Sequence, residues 1–158
     1  VLAILDNRIT AMTGGQSNPS IGEKLRQGDE GGQVDIEQVV RGCGVSFVKV
    51  VEPYDTAASA ELFKDAWEHA RLNREPAVVI LRHPCMLLKS KQAKVKVRVN
   101  PEKCIGCKYC TNFFNCPGLP FDEDAKKAFI DERFCVQCGV CIQVCPHGAI
   151  EAVEGEEA

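Results

Sequence analysis

The sequence predicts two units of different class: an α/β unit with a parallel sheet over residues 1–85, and a smaller α+β unit over residues 100–158. Three observations lead to this division. The first unit alternates continuous apolar runs with helical periodicity, and the second carries eight cysteines in two tight groups. The stretch 86–99, in which every charged residue is basic, separates the two units, and we interpret it as a linker.

Composition excludes several functional classes. The chain has 158 residues, of which 45% are hydrophobic and 26% charged, as in a soluble globular protein. No apolar run approaches the roughly 20 residues of a membrane span, and the run from Val1 to Leu5 lacks the flanks of a signal peptide, so we expect a buried strand there. The basic stretch carries no interleaved aromatic residue for base stacking, so we expect a solvated linker and no nucleic-acid partner.

The first unit contains three apolar runs that predict buried strands of a parallel sheet, at Leu2–Leu5, Phe47–Val51 and Ala77–Leu81. A short helix through Ile36, Val39 and Val40 should end at Gly42 or Gly44. Three parallel strands make an incomplete layer, because such sheets are covered on both faces. We therefore expect the chain to be the carboxy-terminal part of a longer polypeptide, or to pack on a partner.

A longer helix is predicted between the second and third strands. Apolar residues recur there at helical spacing, Asp55 is placed to cap the start, and Pro76 lies beyond the end. The apolar positions are Leu62, Phe63, Ala66, Trp67 and Ala70. We expect Phe63 and Trp67 to be core residues of the unit.

The eight clustered cysteines form two motifs. The first is Cys104, Cys107 and Cys110, followed after five residues by Cys116-Pro117. The second is Cys135, Cys138 and Cys141, followed after three residues by Cys145-Pro146, which matches the bacterial run that binds [4Fe-4S] clusters. Zinc also accepts four thiolates, but its sites use paired C-x2-C knuckles. The spacing therefore predicts two iron–sulfur clusters in a reducing compartment, the cytoplasm.

Each cluster should take its fourth ligand from the other motif, because three thiolates two residues apart use up one loop. We assign one cluster to Cys104, Cys107, Cys110 and Cys145, and the other to Cys135, Cys138, Cys141 and Cys116. The first motif has two residues more than the bacterial spacing, so its loop should bulge. Apolar segments after each motif, at 128–130 and 149–153, predict short strands.

A glycine-rich loop follows the first strand and lasts to about Gly32. Ligands of open parallel sheets bind beyond the carboxyl ends of the strands, where Asn7 would project. Its amide oxygen could ligate magnesium, and Thr13 with Gly14-Gly15 could donate hydrogen bonds to a phosphate. Asn and Gly are also ordinary turn residues, so the residues alone leave both interpretations open.

The segment Ile4-Leu-Asp-Asn-x-x-x-Ala-Met-Thr-Gly-Gly-Gln16 resembles the second half of the thiamine diphosphate and magnesium motif of 2-oxoacid:ferredoxin oxidoreductases. The order of the two units resembles the carboxyl end of the alpha subunit in the indolepyruvate type. The resemblance implies that 1–85 is the carboxy-terminal part of a thiamine-diphosphate-binding domain, and that 100–158 is a ferredoxin-like domain with two clusters.

By this resemblance Asn7 is a magnesium ligand, the Ile9 carbonyl completes the metal site, and Thr13, Gly14, Gly15 and Gln16 lie beside the diphosphate. The implied activity is oxidative decarboxylation of an aryl 2-oxoacid to an acyl-CoA, in anaerobic metabolism. The implied partners are the rest of the alpha polypeptide, a beta subunit, external ferredoxin and CoA. The family's upstream Gly-Asp-Gly is absent, so we expect this chain alone to be inactive.

The alternative is a non-enzymatic electron carrier, in which a ferredoxin is fused to an inert α/β domain. Two cysteines, Cys43 and Cys85, lie outside the motifs. A catalytic thiol near His83 is conceivable, but we expect Cys85 to be a buried free cysteine. We also expect His69 on the helix surface and His147 to shape the loop of a cluster.

Overall fold

The computed structural model describes residues 1–10, 12, 15–22, 31–86 and 95–153. It divides into two compact units, Val1–Leu88 and Lys89–Ala158. Within the described ranges, no helix is both long and apolar enough to cross a bilayer.

The first unit is built on a parallel sheet of three strands: β1 (Leu2–Asp6), β2 (Phe47–Val51) and β3 (Ala77–Arg82), in the order β1-β3-β2. All three predicted strands are present, but the expectation that each is buried holds only for β3, since Leu2 and Leu5 of β1 are 58% and 76% exposed at the edge of the sheet. The central strand β3 is buried from Ala77 to Ile80. Its side chains alternate between two covered faces, which is why it is a continuous apolar run in the sequence.

Two helices cover the two faces of this sheet. Helix α1 (Ile36–Gly42) packs against Val48, Val78 and Ile80, and helix α2 (Thr56–Asn73) packs against Ala77 and Val79. Both helices begin at a carboxylate cap, as Asp35 accepts from the Gln38 amide at 3.1 Å and Asp55 from the Ala58 amide at 2.9 Å. The predicted caps and ends of the long helix are therefore confirmed.

The expectation that Trp67 belongs to the core is wrong. Its side chain is 65% exposed, whereas Ala66 is fully buried and Phe63 packs against the sheet. Successive helical residues are turned by about 100°. Trp67 follows the centre of the buried stripe by one step, and this turn carries its indole out to the surface of the unit.

The second unit consists of two antiparallel strand pairs and two short helical turns. Strand β4 (Val97–Val99) pairs with β7 (Ile150–Ala152), and β5 (Phe121–Asp122) pairs with β6 (Lys127–Ala128) in a hairpin. The turns are a π-helical one at Cys110–Phe114 and an α-helical one, α3, at Val140–Val144.

The predicted linker 86–99 is partly structured, because its last three residues form strand β4. Valines alternate with basic residues from Val95 to Val99. This spacing turns Val97 into the core, where it is 7% exposed, and leaves Arg98 in solvent. The charges alone predict a solvated segment, whereas the alternation with a period of two is typical of a strand.

Five motif cysteines belong to the core of the second unit. Cys141 is buried together with Val97, Leu119 and Ile150, and four further motif cysteines pack against this cluster: Cys110, Cys116, Cys135 and Cys145. We therefore expect whatever the thiols bind to contribute to folding.

Candidate metal centres and cofactor loop

One cavity of the second unit is lined by four cysteines that are distant in sequence: Cys104, Cys107, Cys110 and Cys145. Three come from the first motif and the fourth from the second. Helix α3 ends at Cys145, whose thiol lies beside the loop of the first motif. The structure thus brings together the four residues that the sequence assigns to one cluster.

The other four cysteines also form a set, which is seen in the electrostatics of Cys141. Burial, with smaller contributions from negative charge on Cys138, Cys135 and Cys116, raises the pKa of the Cys141 thiol to about 11. Cys116 belongs to the first motif, so this set is crossed in the same way. Burial also raises the pKa of Cys110, with a smaller contribution from Cys107 and Cys104.

These pKa shifts describe thiols that hold their protons at neutral pH. An iron ligand must be the thiolate, so cluster loading at Cys141 has to expel a proton that the folded chain binds more tightly than usual. Acidification therefore favours the metal-free thiol, and rising pH favours loading. A bound cluster would supply a cationic partner for the Cys141 thiolate in place of that proton.

The backbone of both cysteine motifs has the same unusual conformation. In each motif the residues two and four positions after the first cysteine have a positive φ: Gly106 (72°), Lys108 (57°), Gln137 (59°) and Gly139 (74°). Alternation of right- and left-handed conformations turns successive N–H groups towards one point, which is how proteins cradle phosphates and iron–sulfur clusters. Among the described residues, the Ala149 amide donates to Cys145 Sγ at 3.3 Å.

The predicted bulge of the first motif is a π-helical turn. The Asn115 amide donates to the Cys110 carbonyl at 3.0 Å, five residues back, and Asn115 then leaves the turn with a φ of 52°. In the second motif the Cys145 amide donates to Cys141, four residues back. The wider turn takes up one of the two extra residues of the first motif. The other separates the turn from the thiol, because Asn115 closes the turn before Cys116 whereas Cys145 closes its own turn.

The donor sets fit the group that the sequence predicts. Four thiols for each centre are the ligands that [4Fe-4S] clusters use, and the left-handed residues of both loops give the backbone conformation that cradles such clusters. Within the described part of the chain, no three His, Cys, Asp or Glu side chains are grouped closely enough to hold a single metal ion. The cysteines surround their cavity without converging on one point.

In the first unit, Asn7 lies directly beyond the carboxyl end of β1, as expected. Its Oδ1 accepts from the Ile9 amide at 3.1 Å, which holds the two predicted magnesium ligands in one turn. The loop closes at a bridge in which the Thr10 amide donates to the Gln16 carbonyl at 2.9 Å. Gly15 has a φ of 78° within it, and Thr13 and Gly14 are outside the described residues.

Asp6 organises this loop, and our sequence analysis missed it. The residue is 5% exposed at the end of β1 and accepts from Arg82 Nε at 2.9 Å and from Ser20 Oγ at 3.4 Å. Arg8 Nε lies 3.5 Å from the same carboxylate. An acidic residue that ends an apolar strand run is the signal that could have found it, because such a charge needs a buried partner. A cavity beside Asp6 is lined by Asn7, Asn18 and Ser20.

The two cysteines outside the motifs and the histidine considered beside Cys85 have the following surroundings. Cys43 is exposed, and the Cys85 amide donates to the Asn7 carbonyl at 3.0 Å. The His83 ring packs against Tyr54 in a tilted arrangement, with ring centroids 4.2 Å apart, and its Nδ1 lies 2.9 Å from Glu52 Oε2.

The other two histidines lie at very different places. His69 Nε2 contacts Ser46 Oγ at 3.2 Å, and the His69 ring packs beside Phe47. His147 lines the cavity of the first cysteine set, in agreement with its expected place beside a cluster loop.

Comparison with known families matches both units. Residues 1–81 match the C-terminal TPP binding domain of thiamine pyrophosphate enzymes, and residues 96–147 match the 4Fe-4S dicluster domain. The chain belongs to the family of thiamine pyrophosphate enzymes, and it carries a dicluster unit after their C-terminal domain. Thiamine diphosphate and iron–sulfur clusters are the cofactors of these two families.

The relatives are subunits of one kind of oxidoreductase. Indolepyruvate oxidoreductase subunit IorA of Pyrococcus horikoshii is 41% identical over 99% of this chain and 24% of its own length. The subunit of the same name from Methanothermobacter marburgensis is 43% identical over 96% of this chain and 23% of its own length. The chain thus spans about a quarter of these relatives. The resemblance to the carboxy-terminal part of the indolepyruvate alpha subunit is confirmed.

Two further similarities are partial. An uncharacterized ferredoxin of Methanocaldococcus jannaschii is 38% identical over 35% of this chain and 75% of its own length. Among solved structures, an adenosine 5'-phosphosulfate reductase in complex with substrate is 36% identical over 35% of this chain and 41% of its own, with a TM-score of 0.30. That TM-score is too low to bear on the fold.

Replacement of Gly106 by alanine should prevent loading of the first cysteine set. A Cβ there would lie 2.5 Å from the Lys126 carbonyl oxygen, at a φ of 72°, and backbone atoms cannot move aside cheaply. We expect the free energy of unfolding of the second unit to fall by about 2 kcal/mol or more. The matched control is Gly148→Ala, where φ is 58° and a Cβ meets open space, so only the conformational cost remains. Iron content and thermal unfolding of both variants measure the difference, and equal effects would contradict the steric argument.

Replacement of Asp6 by asparagine should destabilise the first unit by about 2 kcal/mol, because it leaves Arg82 and Arg8 without their shared buried anion. Glu37→Gln is the control, since Glu37 also pairs with Arg82, at 3.0 Å, but is more exposed. It should cost less than about 1 kcal/mol. Urea unfolding followed by far-ultraviolet circular dichroism, to which the 18-residue helix α2 contributes most of the helical signal, compares the two variants. A control as destabilised as Asp6→Asn would contradict this ranking.

Proposed function

We propose that this chain is the carboxy-terminal part of a 2-oxoacid:ferredoxin oxidoreductase acting on indolepyruvate or another aryl pyruvate. The observation that carries the proposal is the pair of crossed four-cysteine sets directly following a thiamine-enzyme domain. The IorA subunits resemble this chain over nearly its whole length, through both units.

The proposed overall reaction is oxidative decarboxylation. A 2-oxoacid anion and the thiol of CoA give acyl-CoA, carbon dioxide, one proton and two electrons, which an external ferredoxin accepts one at a time. Thiamine diphosphate supplies the carbon nucleophile when bound, and the clusters supply one-electron acceptors. The residues of this chain position these groups and adjust the environment of the clusters.

In the first unit, Asn7 and Ile9 would hold magnesium, and the loop from Thr13 to Gln16 would lie beside the diphosphate. The turn between Asn7 and Ile9 supports this assignment, since an amide oxygen has a second lone pair left for a metal. Asp6 and Arg82 fix the base of the turn through their ion pair of 2.9 Å. Their role is to position the ligand turn at the sheet edge.

The proposed partners follow from the same assignment. They are the rest of the alpha polypeptide, with the upstream half of the thiamine site, a beta subunit, external ferredoxin and CoA. The thiols need a reducing compartment, so we place the protein in the cytoplasm, in anaerobic metabolism. The alternative of a non-enzymatic carrier is supported by the second unit alone, which resembles most of a small ferredoxin.

Replacement of Cys145 by alanine tests the crossed ligand sets. Cys145 follows the second motif but lines the cavity of the first, so we expect loss of that cluster and about half of the iron. Cys85→Ala, outside both sets, should retain all iron. Iron and sulfide analysis with electron paramagnetic resonance checks both variants, and full iron content in the Cys145 variant would contradict the assignment.

The purified 158-residue chain should turn over no aryl pyruvate when supplied with thiamine diphosphate, magnesium, CoA and ferredoxin, because its sequence contains no Gly-Asp-Gly to complete the cofactor site. Formation of acyl-CoA is the measurement, and any turnover would refute this expectation. Co-expression with an IorA amino-terminal part and a beta subunit should restore activity. Thiamine diphosphate binding should then be compared between the reconstituted complex and its Asn7→Ala variant. Equal binding by the two would show that this unit does not hold the cofactor, and would favour the carrier alternative.

A further inference from the structure

The β5–β6 hairpin covers the loop of the first cysteine motif. Lys127 donates a hydrogen bond from Nζ to the carbonyl oxygen of Cys104. The carbonyl of Lys126 lies so close to Gly106 that no side chain fits between them. The hairpin and the ligand loop are therefore held together through the backbone.

A second set of contacts ties the same two segments. Lys108 lies in the ligand loop, and its Nζ is 2.5 Å from Glu123 Oε1 and 4.4 Å from the ring centroid of Phe121. Phe121 and Ala128, one from each strand of the hairpin, line the cavity together with the cysteines. The hairpin is thus one wall of the first candidate centre.

Lys127 differs from the other lysines of this region in its charge balance. Lys103 pairs with Glu151, and both Lys108 and Lys126 pair with Glu123. Within the described residues, Lys127 has no ion pair, and it is half-buried with its ammonium bound to a neutral carbonyl. Its positive charge is therefore balanced by no protein carboxylate of the described ranges.

A cluster gains one negative charge when it accepts an electron, and nearby charge and hydrogen bonding set its potential. An uncompensated cation next to a ligand stabilises the reduced form more than the oxidised form. Partial burial preserves this effect, because solvent ions screen such a charge less than an exposed one. Lys127 meets these conditions through its contact with a predicted ligand residue.

We propose that Lys127 raises the reduction potential of the cluster held by Cys104, Cys107, Cys110 and Cys145, and leaves the potential of the other cluster unchanged. This rests on the proposed function, in which both clusters carry electrons. Lys127 is a positioning and tuning residue that acts through the ligand loop. In the proposed enzyme it would make this cluster a better acceptor for each single electron.

The test uses the complete chain, isolated without oxygen and titrated with redox mediators under electron paramagnetic resonance. Lys127→Gln removes the charge and keeps a donor for the Cys104 carbonyl, whereas Lys127→Arg keeps the charge. For Lys127→Gln we expect the equilibrium constant for reducing one cluster to fall about tenfold, a shift of ~59 mV for a one-electron couple. The other midpoint should not move, and Lys127→Arg should titrate as the wild type.

Lys126→Gln is the matched control, because it removes the same charge one residue away from a side chain that is 72% exposed and paired with Glu123 at 3.6 Å. Neither midpoint should move in it. Unmoved midpoints in Lys127→Gln, or equal shifts of both clusters, would overturn the inference. So would loss of iron from both Lys127→Gln and Lys127→Met, since that would show a structural role only. A wild-type chain that binds no iron would overturn the proposed function itself.

Discussion

The second unit depends on one constraint: each set of four thiols is complete only when the other motif is in place. Cys145 leaves the second motif to line the first cavity, and Cys116 joins the second set from the first motif. Neither half can then form its centre independently. Since five cysteines also belong to the core of this unit, we expect ligand binding and folding to be coupled there.

The strand pairing of the unit supports the same crossing. Strand β4 precedes the first motif and β7 follows the second, and the two are antiparallel neighbours with Val99 opposite Ile150. This pairing brings the start and the end of the unit together. The chain between them is thus closed into a loop that carries both motifs, which fixes the direction from which each Cys-Pro turn returns.

In the first unit the organising interaction is electrostatic. Parallel strands end at the same edge of their sheet, so the ends of β1 and β3 place Asp6 next to Arg82. The buried carboxylate is satisfied there by a guanidinium and a hydroxyl. The turn that contains Asn7 starts from this fixed point, which is how a polar ligand loop is held on an apolar sheet.

Much of this architecture could be predicted from the sequence, for local reasons. A strand buried on both faces is a continuous apolar run, and a capping carboxylate lies next to the helix that it caps, so β3 and the Asp55 cap were predictable. Tertiary placement was not. Trp67 fits a helical period but lies one step beyond the buried stripe, and Asp6 acquires its role only through Arg82, 76 residues later.

The cysteine spacing was informative because ligand geometry restricts it, and it predicted which thiols the structure brings together. Whether they bind iron remains a prediction, as does magnesium at Asn7. The valine alternation before the first motif carried a strand signal that the basic charges obscured, because both patterns occupy the same residues. Charge and periodicity have to be weighed separately in such segments.

The π-helical turn at Cys110–Phe114 has a consequence for how such repeats vary. A helical turn can widen by one residue while its first and last residues keep their positions. An insertion there therefore changes the width of the turn and leaves the cysteines on either side in place. The inserted residues instead bring Phe113 outward, where it stacks on Tyr109 with ring centroids 5.0 Å apart. Unequal spacing between two halves of a duplicated module is thus compatible with equivalent centres.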